Sequence, residues 1–260
     1  MLYQTFKLSN PSEYVTVVTL NRPKFMNAIN SIMMSELYEF WKYIATTDCR
    51  CVVITGEGSK SFSAGADLKE RYNLDEATWK KNHLNLQKSM LAMNKCAIPI
   101  IAAVNGYAYG GGFELALSAD FIYAATTASF ALPEVKLGIM PGAMGTQHMP
   151  RAASLRRAKE IILTGEPITA EKAYDWQIVN SIFPLDQLMT AAIKTAASIA
   201  SRAPLSVINS KSAVNHAVLN NLESGYSFEV DNYNKLIATA DRLEGIAAFN
   251  EKRKPEFKGE

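Results

Sequence analysis

The sequence predicts an α/β fold: parallel strands covered by helices over about the first 150 residues, then a helical C-terminal region packed without a linker. Three observations carry this. Short β-branched or apolar runs alternate with longer stretches of helical period in the first half. Each later run meets a glycine or another turn signal. From about residue 154 the period is helical almost throughout, and no Gly/Ser/Pro-rich tract separates the two parts.

In order, YVTVVTLN (14–21) reads as a strand because it is rich in β-branched residues. SIMMSELYEFWKYIATTD (31–48) has apolar residues at helical spacing, with Ser31 as the expected N-cap. CVVITG (51–56) is an apolar run that stops at Gly56, a buried strand. LDEATWKKNHLNLQKSMLAMNK (74–95) is a second amphipathic helix, and PIIAAVNG (99–106) a third strand. A short helix over 111–118 and a strand over 120–125 follow. Beyond 154, LRRAKEIILTG, TAEKAYDWQ, LDQLMTAAIKTAASIASR and PLSVINSKSAVNHAVL read as helices, interrupted by a strand at IVNSIF (178–183). The resulting β-α alternation argues for parallel strands.

Composition narrows the function. The 260 residues are 48% hydrophobic and 20% charged, with a net charge of +2, so nothing resembles a nucleic-acid-binding stripe. SLRRAK (154–159) and EKRKPEFK (251–258) are local basic clusters, ordinarily solvated surface. No apolar run is long enough for a bilayer, and residues 1–14 lack the regions of a signal peptide. Cys49, Cys51 and Cys96 are too few and wrongly spaced for a zinc site or disulfide framework, so a reduced cytoplasmic setting is expected. His83, His148 and His216 are far apart and are expected in solvated or packed roles.

Three loops follow strands: 61–69, 106–114 and 132–147. Ligands bind beyond the carboxyl ends of strands in open α/β sheets, so these loops are expected to gather there. Gly110, Gly111 and Gly112 precede a helix, where backbone N–H groups are unpaired and glycine admits close approach. They supply either an oxyanion hole or a tight turn that needs glycine for sterics. No G-x-G-x-x-G fingerprint is present. Glu114 stands among Phe113, Leu115, Ala116 and Leu117, and Glu134 lies in FALPEVKLGI. Two partly desolvated carboxylates form an acid/base pair with separable pKa values; the alternative is two structural glutamates held by backbone amides or by Lys136.

At these residues the chain resembles the enoyl-CoA hydratase/isomerase (crotonase) superfamily. NRPKFMNAIN, FSAGADLKE, AAVNGYAYGGGFELALSADF, ASFALPEVKLGIMPGAMGTQ and AAFNEKRKPEFKG carry the resemblance, in order, from about residue 14 to the C-terminus. The paired glutamates are those of the hydratases. GYAYGGGFELALSADF and ASFALPEVKLGI are especially like carnitinyl-CoA dehydratase, and FSAGADLKER is similar to methylglutaconyl-CoA hydratase.

The resemblance implies a crotonase spiral of β-β-α turns over 1–195, replacing the flat doubly wound sheet of the strand count. It implies a helical region over 196–260 for oligomerisation and lid, in a trimer or a hexamer of two trimers. The implied substrate is an acyl-CoA thioester, with no metal or redox cofactor. The amides of Ala66 and Gly111 are then the oxyanion hole, and Glu114 and Glu134 hold the reacting water. Ala64, Asp67 and Leu68 lie along the adenine and pantetheine path; Lys69, with Phe249 and Lys252 from a neighbouring subunit, approaches the phosphates. The implied reaction is reversible syn hydration of a 2-trans-enoyl-CoA to a 3-hydroxyacyl-CoA, with a carnitinyl-CoA dehydratase or a Δ3-Δ2 isomerase as alternatives. An RNA-binding role, known for one branch of the family, is weakly supported at this net charge. The chain departs from the usual P-G-A-G-G-T-Q-R: Met144 replaces a glycine and His148 an arginine, which puts acyl-chain preference in question, since Met144 either narrows the acyl pocket or fills a gap between helices.

Overall fold

The computed structural model describes residues 3–260; of the N-terminal segment examined for a leader, the first two residues lie outside it. Strands β1 (Phe6–Ser12), β2 (Val15–Leu20), β3 (Cys51–Gly56), β5 (Ile100–Val104), β7 (Phe121–Ala125) and β10 (Ser181–Phe183) form one six-stranded sheet in the order β1-β2-β3-β5-β7-β10. A second sheet of very short strands has the order β4 (Ser61–Ser63), β6 (Tyr107–Tyr109), β8 (Ser129–Ala131), β9 (Ile168–Thr169). Among the described residues, β1–β2 and β8–β9 pair antiparallel; the other ladders are parallel.

Each turn of chain gives one strand to each sheet. β3 leads to β4, β5 to β6 and β7 to β8, and helices then return the chain: α2 (Leu68–Arg71) and α3 (Glu76–Asn94), α4 (Gly111–Leu117), then α5 (Gly145–Ala152) and α6 (Leu155–Thr164). This is the expected spiral of β-β-α turns, and the single flat sheet of the strand count is corrected. The reason is length. Three-residue strands such as Ser61–Ser63 show no alternation that a sequence can reveal.

The expected central strands and helices stand, within a few residues at their ends. β3 and β5 are buried along their whole length, as apolar runs with both faces covered require. Helix α1 (Ser31–Ile44) buries Met33, Met34, Leu37, Phe40, Trp41 and Ile44. Its N-cap is Asn30, whose side chain accepts from the Met33 amide, rather than Ser31. Ser31 instead donates from its Oγ to Glu70 at 2.6 Å. β1 and α5 lay outside the expected elements; β1 is exposed over most of its length and so carries no apolar signal.

After α7 (Ala170–Asp175) and β10, helix α8 (Leu185–Ala200) lays Ala192, Ala196 and Ala200 on the large sheet. The expected division after residue 195 falls inside α8, and the turn at 201–203 follows that helix. Helices α9 (Pro204–Ala217), α10 (Leu222–Ile237) and α11 (Ala240–Glu251) follow, with α9 packed on α10. His216 stacks on Phe228 between them, ring centroids 4.1 Å apart. Among the described residues, no helix is long and apolar enough to cross a membrane.

Candidate active site

The ends of β4 and β6 run directly into loop and helix termini, and here the three glycines divide their work. Gly110 has φ 51° and ψ −128°, a conformation open to glycine and strained for other residues. Gly112 meets β4: a Cβ there would lie 2.2 Å from the Ser63 carbonyl oxygen. Between them, Gly111 begins α4 and presents an amide with no carbonyl four residues back to bond.

The second amide comes from the neighbouring loop. Ala66 forms a lone parallel bridge with Ile29, in which Ile29 donates to the Gly65 carbonyl and Asp67 donates to the Ile29 carbonyl. The Ala66 amide is thus left out of the ladder. A Cβ on Gly111 would stand 3.9 Å from the Ala66 nitrogen and 4.0 Å from Glu114 Oε2, so both donors and one carboxylate border the same space. Neither amide donates to an acceptor among the described residues.

Glu114 is 2% exposed, and its Oε1 accepts from the amides of Ala143 at 2.7 Å and Gly145 at 2.8 Å. Burial pushes its pKa up to about 7, with Glu134 adding to the rise; the two amides and Arg71 oppose it. Glu134 is 8% exposed and is also raised by burial. Its Oε2 is buried with no hydrogen-bond partner. Lys136, the other candidate partner, is committed to Glu166 at 2.8 Å. A buried, orphaned carboxylate oxygen beside a second buried acid is costly for structure alone and suits proton transfer.

One cavity of about 640 Å³ takes in Ala64, Ala66, Leu68, Gly111, Glu114 and Glu134, six of the ten residues singled out from the sequence. The other four lie elsewhere. Asp67 is buried, caps α2 by accepting from Glu70, and pairs with Arg22 at 2.9 Å. Lys69 is exposed on α2, and Phe249 and Lys252 are exposed at the end of α11. Sequence reasoning missed Arg71, Trp79, His83 and Gln87, which also line this cavity. The last three fall at helical spacing on one face of α3, a signal present in the sequence but read only as amphipathicity. His83 thus lines the cavity, packed against Gly142, and its pKa is lowered by burial and by Arg71. Met144 does not line it: its residue has φ 77°, and its sulfur accepts from Asn94 at 3.2 Å.

The comparisons agree with this geometry. The family described as Enoyl-CoA hydratase/isomerase matches residues 10–260. The 2,3-dehydroadipyl-CoA hydratase of Escherichia coli (strain K12) is 41% identical over 94% of this chain and 95% of its own. The crotonyl-CoA hydratase of Syntrophomonas wolfei is 38% identical over 99% of both chains. A crystal structure of an enoyl-CoA hydratase from Bacillus anthracis superposes with a TM-score of 0.97 at 39% identity, covering 99% of this chain and 100% of that one. With two buried glutamates and two unengaged amides meeting in one cavity of this spiral, the chain belongs to the enoyl-CoA hydratase/isomerase family.

Proposed function

We propose that the protein is an enoyl-CoA hydratase, adding water syn across the double bond of a 2-trans-enoyl-CoA in a reversible reaction. The observation that carries it is the meeting of two raised-pKa carboxylates and two free amides in one cavity. The thioester oxygen accepts from the amides of Ala66 and Gly111. Each donor contributes about 3 kcal/mol to the transition state, because that oxygen becomes anionic only as the reaction proceeds.

The water sits between the carboxylates. Glu114, with Oε1 fixed by two amides, is the ionised base and takes the water proton. The hydroxyl bonds to Cβ, the π electrons pass through Cα to the thioester oxygen, and an enolate forms. Glu134, raised by burial and with its Oε2 unpartnered, delivers a proton to Cα. The C=C bond becomes C–C, one water is consumed and no electrons are exchanged, so the step calls for no redox cofactor, coenzyme A being part of the substrate. An isomerase moving a proton between carbons needs one carboxylate; the presence of both favours the hydratase.

Ala64 and Leu68 at the cavity support a pantetheine path there, with Asp67 fixing the loop by its bond to Arg22. Assembly as a trimer, or a hexamer of two trimers, is supported by apolar side chains left bare on the C-terminal helices, Leu222 at 89% and Phe249 at 82% exposure. In that assembly Phe249 and Lys252 of one subunit join Lys69 of another at the nucleotide phosphates. The three cysteines are buried thiols, which suits a cytoplasmic setting. The test follows the absorbance of the conjugated thioester in crotonyl-CoA, with mass spectrometry of the product. Loss of absorbance with gain of one water is expected; turnover restricted to 3-enoyl to 2-enoyl conversion would overturn the reading.

A further inference from the structure

We infer that Arg71 is a specificity residue that anchors a carboxylate at the far end of the acyl chain, so that the preferred substrates are dicarboxylic 2-enoyl-CoA thioesters. The inference rests on the hydratase reading of the cavity and concerns what fills its acyl end. Arg71 ends α2 and lines the cavity half-buried, yet its side chain donates no hydrogen bond and forms no ion pair among the described residues. Glu70 and Glu114 are near enough to favour its charge, but neither hydrogen-bonds to it. Glu70 accepts from the Ser31 amide and hydroxyl at 2.9 and 2.6 Å, and Glu114 from the Ala143 and Gly145 amides. What Arg71 does have is a platform: its guanidinium lies 5.0 Å over the Trp79 ring.

A partly desolvated guanidinium that lines the cavity and is bonded to no side chain can take a carboxylate of the substrate. It offers paired N–H groups in the geometry of a carboxylate. Position assigns it to the acyl end. The thioester oxygen is fixed by Ala66 and Gly111, whereas Arg71 shares its wall with His83, which packs on Gly142 beside the Ala143 amide that holds Glu114. A chain running past Glu114 therefore meets this wall. Leu86, Ile139 and Met140 add apolar surface for its methylenes, and Gln87 and His83 stand by as further donors. The same charge disfavours a quaternary ammonium there, which counts against a carnitinyl substrate.

The test compares two thioesters of equal length, 2,3-dehydroadipyl-CoA and 2-hexenoyl-CoA, in wild type, Arg71→Met and Arg71→Lys. The readout is the ratio of kcat/KM for the diacid to that for the monoacid, which cancels any effect of Arg71 on Glu114. Wild type is expected to prefer the diacid by about tenfold or more, Arg71→Met to lose the preference, and Arg71→Lys to keep part of it. Calorimetric binding of the unreactive adipyl-CoA and hexanoyl-CoA gives the same comparison without turnover. A wild-type ratio near one, or an Arg71→Met variant that weakens both thioesters equally as a coenzyme A contact would, overturns the inference. If adipyl-CoA is preferred through Arg71 while neither enoyl thioester is hydrated, the anchor stands and the hydratase reading falls.

Discussion

Gly110 leaves open the space that Glu134 uses: a Cβ on Gly110 would stand 3.0 Å from Glu134 Oε1. The carboxyl of one turn of the spiral is thus seated against the bare backbone of the preceding turn, one residue before the unengaged amide of Gly111.

Gly110→Ala tests that seat. The side chain is forced into a left-handed backbone, at about 1–3 kcal/mol, and crowds the proton donor. Urea melts should register that loss. Turnover of crotonyl-CoA should fall by at least about 10²-fold, because a misplaced acid loses its alignment with Cα. Wild-type turnover would show that Glu134 does not depend on this contact.

Glu114→Gln and Glu134→Gln should each fold and lose about 10²–10⁴-fold in kcat. In wild type, kcat/KM should fall as pH drops through about 7, where Glu114 takes up its proton, rather than near the ordinary value of 4.5. A profile flat from about pH 5 to 8 would contradict the assignment of Glu114 as base.

How far the site was legible depended on whether chemistry was concentrated in short motifs. The glycines and Glu114 fall within five residues, and a charged residue in an apolar helix is conspicuous in any register. Glu134 was legible for the same reason. Arg71 was not, because a cation among Lys69, Glu70 and Tyr72 reads as solvated surface until the fold turns it over Trp79. The fold was similarly split. Fully buried β3 and β5 announce themselves, whereas β4, β6 and β8 are three residues each and exist through pairing with one another.

Met144 stands in a left-handed conformation at the start of α5, outside the cavity. Its contact with Asn94 of α3 suits the filling of a gap between helices better than a narrowing of the acyl pocket. Met144→Gly removes a backbone strain of about 1–2 kcal/mol, while losing the contact with Asn94 and freeing the unfolded chain. The relative kcat/KM values across a series of straight-chain 2-enoyl-CoA thioesters should match those of wild type. A change in rank order would return Met144 to the pocket.

Lys252 is exposed at the end of α11, whereas its neighbour Arg253 is tied to Glu244 and Glu251. If the tail of one subunit reaches the nucleotide of the next, Lys252→Ala should raise KM for crotonyl-CoA several-fold, with kcat little changed. The same variant should show no KM effect toward a pantetheine thioester lacking the nucleotide. Equal effects on both would remove Lys252 from the phosphates.

Glu114 should also cost the enzyme stability, and the sign fixes where. Its folded pKa of about 7 lies above the ordinary 4.5, so the folded state binds this proton more tightly than the unfolded chain. Below pH 4.5 both states are protonated and the group carries no penalty. As pH rises from there the unfolded state ionises first, and wild-type stability declines until folded Glu114 ionises near 7. Above that the full difference, about 3 kcal/mol, weighs against folding. Glu114→Gln has no proton to lose and keeps an oxygen to accept from Ala143 and Gly145. Its Tm should therefore exceed that of wild type at pH 8 and converge on it at about pH 4. Calorimetry across that range reads the gap directly. A gap that stays constant with pH would mean that Glu114 is an ordinary ionised carboxylate, and with it would go the base held ready at neutral pH.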